Sequence, residues 1–400
     1  MKLVKSLLLG SAAGLVAVAG ASAADLGVKK PTAVEYVKTC PQYGAGFFVV
    51  PGTTSCLKII GRVRVDYIFN NDLTRAQDKN TFRARGYFGY DHRTATEYGL
   101  LRTYVRGFIG RDNNAAYAPV VEYAFIQFGG LTVGRITPVF EHGWSNLYNG
   151  SGAFGGYSDI SYVNSFGYTF QFGGGFSATI ALDAARERQV GTNIVYASQA
   201  MPDIVGSLDY AASWGAVKVA GAVHQIRDGL APYGSTRYGF AIGGNVKVNL
   251  PMISQGSNFW LNGTYTDGAV SYAGFGGTST IGDRTYQFSD GVYNGIQIRT
   301  SKAWAVAGAL EIFAAPTIRL GLYGSYGSYD PFGASNTTTT ASVFGQVAWL
   351  PVSGFQIGAE VGYISARTGV AGLSVIANNK ATASRSQDQF VGRVRFQRDF

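Results

Sequence analysis

Apolar and polar residues alternate singly along much of the chain, and most sharply at its C-terminal end. In Phe390 to Phe400 (FVGRVRFQRDF), one step-of-two set holds Phe390, Val394, Phe396 and Phe400. The other holds Arg393, Arg395, Gln397 and Asp399. Successive strand residues point to opposite sheet faces, so this pattern predicts a strand with one greasy and one charged face. The pattern recurs at 57–69, where Ile59, Val63, Val65, Tyr67 and Phe69 oppose Lys58, Arg62, Arg64 and Asp66. At 81–91, Phe82, Ala84, Phe88 and Tyr90 oppose Arg83, Arg85 and Asp91. At 97–110, Leu101, Val105 and Ile109 oppose Arg102, Tyr104 and Arg106.

Further strands are predicted at 119–128, 131–137, 162–172, 176–186, 203–213, 216–228, 236–250 and 258–267. The last five are 303–313, 317–328, 341–350, 355–366 and 387–400, which makes sixteen. Connections alternate in length. Short ones fall at 92–96, 129–130, 173–175, 214–215, 251–257, 314–316 and 351–354. Long ones fall at 70–80, 111–118, 138–161, 187–202, 229–235, 268–302, 329–340 and 367–386. An even number of amphipathic strands of about ten residues, with short turns alternating with long loops, is the signature of a transmembrane antiparallel β-barrel. It predicts an all-β fold with short periplasmic turns, long extracellular loops and both termini in the periplasm. Lipid offers no hydrogen-bond partners, so the sheet must close and the strand at 387–400 must pair with the one at 57–69.

The front of the chain fits an exported protein. Residues 1–23 read as a signal peptide: Lys2 and Lys5, an apolar core from Leu7 to Gly20, then Ala21-Ser22-Ala23. The core is shorter than the roughly 20 residues a spanning helix needs. Residues 24–400 are then the barrel domain, with a short periplasmic lead-in over 24–56. An isolated pair, Cys40 and Cys56, in an exported chain reads as one structural disulfide.

Composition narrows the function. Gly numbers 55, Tyr and Phe 25 each and Pro only 11, while 14% of residues are charged, which disfavours a helical bundle. The net charge of +9 raises the possibility of nucleic acid. The basic residues recur at strand spacing without a basic run, so no nucleic-acid partner is expected. The three histidines, His92, His142 and His224, are dispersed, and neither GxSxG nor HExxH occurs. No enzyme, cofactor or metal is expected.

Closure would bring Arg393 and Arg395 beside Arg62 and Arg64, then Arg83 and Arg85, then Arg102 and Arg106. These eight form one inward basic wall, and rings of charge tune what a pore passes.

The last strand, with Phe396 and the terminal Phe400, resembles the assembly signal of bacterial outer-membrane barrels. The block at 33–67, with its cysteine pair, YGAGFF (43–48), PG (51–52) and CLKIIGRVR (56–64), resembles the N-terminus of the alphaproteobacterial (rhizobial and Brucella-type) general porins. The resemblance runs to the terminal Phe, although beyond the N-terminal block it rests on strand layout. It implies a 16-stranded homotrimeric outer-membrane porin passing small hydrophilic solutes and ions. It also implies contact with outer-membrane lipid and lipopolysaccharide, and delivery by the barrel assembly machinery. The third long loop, 138–161, would fold into the lumen and carry Glu141, His142 and Asp159 toward the arginine wall. Glu122 and Asp112 are further candidates for that position. Alternatives are a substrate-selective channel, or a surface receptor or adhesin using loops 268–302 and 367–386 on a barrel anchor.

Overall fold

A computed structural model describes residues 37–400 apart from 72–74, 76–77, 114, 117–118, 142–147, 149–154, 157–159, 192–193, 230–233, 283, 294–295, 332–336, 370–374, 378–379 and 382–384. The expected signal peptide lies outside the described residues.

Sixteen antiparallel strands close into one barrel. They are β1 (Cys56–Asn70), β2 (Asn80–Thr96), β3 (Gly99–Asp112), β4 (Val120–Phe128), β5 (Leu131–Ile136), β6 (Val163–Gly173), β7 (Phe176–Asp183) and β8 (Asp203–Ala212). The second half holds β9 (Gly215–Arg227), β10 (Thr236–Asn249), β11 (Asn258–Asp267), β12 (Lys302–Ala315), β13 (Ile318–Asp330), β14 (Thr338–Val352), β15 (Phe355–Thr368) and β16 (Arg385–Asp399). Each pairs with its sequence neighbours, and β16 pairs with β1 from Arg62↔Asp399 to Asn70↔Val391. The eight long connections, L1 to L8, are 71–79, 113–119, 137–162, 184–202, 228–235, 268–301, 331–337 and 369–384, all at one end of the barrel. Short turns occupy the other end. One of them departs from expectation. The turn expected at 92–96 lies at 97–98, because Arg93 keeps the inward alternation of β2 and bonds Asp91, which also holds Arg102 of β3.

The two faces separate as the alternation predicts. Ile59, Phe82, Phe88, Phe166, Leu208, Val361 and Phe396 all lie on the exposed exterior, while Asp66, Asp91, Glu122, Asn262 and Glu360 point inward and are buried. An apolar exterior of this extent marks a surface that meets something other than water.

Cys40 and Cys56 are joined by a disulfide. The described part of the lead-in is folded rather than extended. Phe48 and Val49 pair with Leu57 and Cys56, Phe47 is buried, and Arg93 lies 4.7 Å from the Phe47 ring centroid.

The seam carries one close approach that only glycine allows. Gly61 and Phe400 exchange two backbone hydrogen bonds, 2.9 and 3.0 Å. A Cβ on Gly61 would sit 2.1 Å from the Phe400 ring, so the terminal ring occupies the space a side chain would fill. Gly61→Val is therefore expected to unseat the ring and slow barrel closure several-fold, with Gly61→Ala intermediate. Heat-modifiable gel mobility during refolding into vesicles measures it; wild-type kinetics for Gly61→Val would show the seat to be incidental.

Candidate functional site

Six of the eight expected wall arginines line β1 to β3, and their inward row is interleaved with acids and rings. Arg83 bonds Asp112 (2.6 Å), Arg102 and Arg93 both bond Asp91 (2.9 and 2.8 Å), and Arg106 bonds Glu122 (2.7 Å). Arg62 pairs with Asp399 across the seam. Beneath them lie aromatic faces: Tyr87 under Arg62 and Arg64, Phe108 under Arg85, Tyr104 under Arg102 and Tyr123 under Arg106, all within 5.5 Å. These pairs are half-buried, with the carboxylates more covered than the guanidinium groups. Their effect here is geometric. The guanidinium groups of Arg62, Arg64, Arg85, Arg102 and Arg106 each rest over a ring, which restricts how far they swing into the lumen. Glu122 and Asp112, the further candidates for the acids opposite the arginines, thus stand against Arg106 and Arg83.

Arg393 and Arg395 have a different setting. Both are almost wholly buried, at 9% and 6% exposure, because Tyr148 of L3 sits over them. Arg393 donates to the Tyr148 carbonyl (2.7 Å), and the Arg395 guanidinium stacks 4.4 Å from the Tyr148 ring centroid. The Tyr148 amide donates to Gln346 Oε1 and Glu360 Oε2, each at 3.0 Å. Gly358 leaves the room, since a Cβ there would fall 2.1 Å from the Tyr148 hydroxyl. Arg395 also bonds Asp66 (2.5 Å), tying the anchor to β1. These two arginines hold a loop in place, where the sequence reading had them lining open water.

Described residues of L3 are attached to the inner side of the barrel at two places. Near its start Phe140 is buried against Tyr272 of L6, with ring centroids 4.7 Å apart, and further on Tyr148 reaches β14–β16. Glu141 was expected opposite the arginine wall. The structure sets it 3.5 Å from Arg188 of L4, which stacks on Tyr272 at 4.1 Å. His142 and Asp159 lie outside the described residues.

The sequence reading missed L6, which it took for a surface loop. Val270, Tyr272, Phe275, Ile281, Tyr286 and Phe288 of L6 are buried. All but Tyr272 join one apolar cluster with inward residues of β12–β15, among them Ala303, Ala305, Tyr329 and Phe344, while Tyr272 packs with Phe140 and inward alanines of β7, β9 and β10. The hairpin of Thr278–Ile281 and Arg284–Gln287 reaches β16, where Gly282 and Arg284 bond Gln389 and Gln387 (3.2 and 3.0 Å). A signal was present in the chain: alanine at every inward position from 303 to 309 is odd for a wetted wall. Small residues there make room for packing. Asp290, wholly buried in L6, accepts from the amides of Val270 (2.9 Å) and Val190 (2.7 Å) and from the Tyr196 hydroxyl (2.6 Å). His224 of β9 lies 3.7 Å away and bonds Asp203 at 2.8 Å. Burial pushes the Asp290 carboxyl up to about 6, against the pull of His224, Tyr196 and the two amides, so near pH 7.5 it is mainly ionised.

The open part of the lumen is therefore one-sided. Most inward residues of β2–β5 remain partly exposed, Tyr87, Asp91, Phe108 and Glu122 excepted, whereas those in the long-loop halves of β8–β15 are mostly covered. A cavity of about 470 Å³ lies beside Tyr123, Gln127, Thr132, Thr179, Asp209 and Lys218, and Glu141 at the start of L3 borders it.

A closed sixteen-strand barrel with an apolar exterior and a polar inner wall defines an outer-membrane channel. Residues 25–394 match the model of the Porin subfamily. The chain belongs to that porin family and forms a general diffusion channel of the outer membrane. It is 32% identical over 425 aligned residues to porin Omp2b of Brucella abortus (strain 2308), covering 99% of both chains. Among solved structures it resembles the outer-membrane channel DcaP of Acinetobacter baumannii (TM-score 0.66, 15% identity, 86% of this chain and 97% of that one). It also resembles the trimer form of OmpT of Vibrio cholerae (TM-score 0.54, 12% identity, 87% and 100%). At such identities the two structures speak for the fold alone.

Freeing the L3 anchor gives a direct test. Tyr148→Ala, or Gly358→Val from the opposite side, is expected to leave the barrel heat-modifiable while raising current noise and mean single-channel conductance in planar bilayers. Quiet, wild-type openings from both variants would show that Tyr148 does not restrain the loop.

Proposed function

We infer that the channel favours small hydrophilic anions, and the observation that carries this is the row of inward guanidinium groups on β1–β3. Strands β1–β4 turn Lys58, Arg62, Arg64, Arg83, Arg85, Arg93, Arg102 and Arg106 inward, against Asp66, Asp91, Asp112 and Glu122. Because L6 covers much of the far wall, permeating ions pass close to this positive excess. L3 and the gap beside the wall then sort neutral solutes by size, and the field of the wall sorts ions. Passage through such a lumen needs no catalytic group, in keeping with a channel that is not an enzyme.

The working unit is a homotrimer. β5 has six residues. At about 3.3 Å per residue these cover ~20 Å even before tilt, less than the roughly 25 Å apolar band of an outer-membrane barrel. A wall that low is best covered by another subunit, and the OmpT structure named above is a trimer. Short turns and both termini face the periplasm, and long loops face outward. The exterior meets lipid and, in the outer leaflet, lipopolysaccharide, while the strand ending in Phe400 is read by the barrel assembly machinery. The receptor or adhesin reading needs L6 displayed, and its buried aromatic residues weigh against that.

Neutralising Arg62, Arg64 and Arg85 together to Gln is expected to move the reversal potential in a tenfold salt gradient by about 10 mV or more toward cation preference. An unchanged potential in a conducting variant would overturn the assignment of selectivity to this wall. Liposome swelling separates general from selective transport. Rates for neutral sugars should fall in order of size, and one solute far above that order would identify a preferred substrate.

A further inference from the structure

Inward positions of a water-filled barrel are ordinarily polar, yet β12 turns Ala303, Ala305, Ala307 and Ala309 inward, each with at most 2% exposure. L6 covers them. Phe288 of L6 packs edge-on to Tyr329 at 5.0 Å, and Tyr286 donates to the Ala366 carbonyl at 3.2 Å. This is dry packing inside the lumen, at the long-loop end, and it fills the bore along β12–β15.

Apolar contact alone would not fix where the loop begins and ends. Asp290 does so. Its Oδ1 accepts from Val270, near the start of L6, and its Oδ2 from Val190 and Tyr196 of L4. Its own amide donates to the Val190 carbonyl, and its carbonyl accepts from Ser301 at the foot of β12, both at 2.8 Å. The buried carboxylate joins the start of L6 to L4 and, through His224, to the barrel wall, while the main chain of the same residue ties in the end of L6. Replacing the carboxylate by an amide keeps one acceptor oxygen but sets an NH2 group against the donors on the other, which destabilises the closed arrangement far more than loss of a surface bond would.

We propose that Asp290 is a size-determining residue of this channel: it latches L6 and L4 against β8–β15, so L6 is a second constriction element beside L3. The proposal rests on the lumen being the solute path. It assigns the cross-section to two loops held by different means, L3 by the polar seat of Tyr148 and L6 by apolar packing locked at Asp290.

The test uses the full-length protein. The two native cysteines are joined to each other, so an introduced cysteine is the one free thiol. Ala305→Cys lies under L6, and Thr132→Cys lies on the open cavity wall. A water-soluble, membrane-impermeant maleimide should label Thr132→Cys readily and Ala305→Cys about tenfold or more slowly. Adding Asp290→Asn should bring Ala305→Cys close to the Thr132→Cys rate. In bilayers Asp290→Asn should raise conductance by about 1.5-fold, and in liposomes it should speed disaccharide swelling relative to a pentose. Equal labelling of Ala305→Cys and Thr132→Cys without the Asp290 change would overturn the proposal whatever becomes of the Asp290 variant. So would a folded Asp290→Asn channel with unchanged conductance in which the thiol of Ala305→Cys stays protected. Failure of Thr132→Cys to label, or absence of any conductance, would count against the lumen as solute path instead.

Discussion

Hydrocarbon supplies no water to a peptide group, so each strand that crosses it must find both neighbours within the protein. In this chain that condition is met only when β16 returns to β1. The seam runs from Arg62↔Asp399 to Asn70↔Val391, and the paired amides of Gly61 and Phe400 extend it by one step. Everything else about the barrel follows from that closure. An antiparallel ring with an even strand number brings the first and last strands to the same end. It fixes the sign of every alternation, since a one-residue slip at the seam would turn Arg393 and Arg395 to the lipid. It also leaves a single place for the charged faces of sixteen strands, the interior.

Sixteen strands enclose more space than their own side chains fill. The chain narrows that space with loops, and each inserted loop must satisfy its own backbone. L3 does this at Tyr148, whose amide and carbonyl both find charged or polar strand partners. L6 does it with local hairpins, apolar packing and the Asp290 junction. The inner wall is graded to match. It is small and apolar under L6, of mixed charge at the L3 seat, and predominantly basic along β1–β3.

The sequence was most legible where lipid imposes a period of two. The strand at 258–267 has the expected limits, and the other fifteen differ by a few residues at their ends. The turn near residue 92 was misplaced because polar residues run on past Asp91, and only the partner strand reveals that Arg93 still points inward beside Arg102. Loops lack that period. Glu141 was assigned to the arginines because both lie toward the lumen, but which wall a loop residue reaches depends on the path of the loop, and Arg188 was nearer. For Arg393 and Arg395 the face was legible and the burial was not, because burial came from a tyrosine about 245 residues away in sequence. L6 was hidden for the opposite reason. Its apolar residues have no strand partner to declare a face, and their complement lay in the alanines of β12.

Pairing with acids does not erase the basic wall. A carboxylate engages two or three of a guanidinium's five N–H donors, and the aromatic face beneath supports the plane without using any. Asp91 is shared by Arg93 and Arg102, so that cluster keeps a positive excess while its geometry is fixed from both sides. An unpaired row of arginines would repel itself and sway into the bore. Interleaved acids lower the self-repulsion and hold the side chains against the wall, which keeps the lumen open while preserving the sign of its field. On the anion preference proposed above, the acids on β1 to β4 would therefore matter to transport as much as the arginines, by setting how much of the positive charge a passing ion feels.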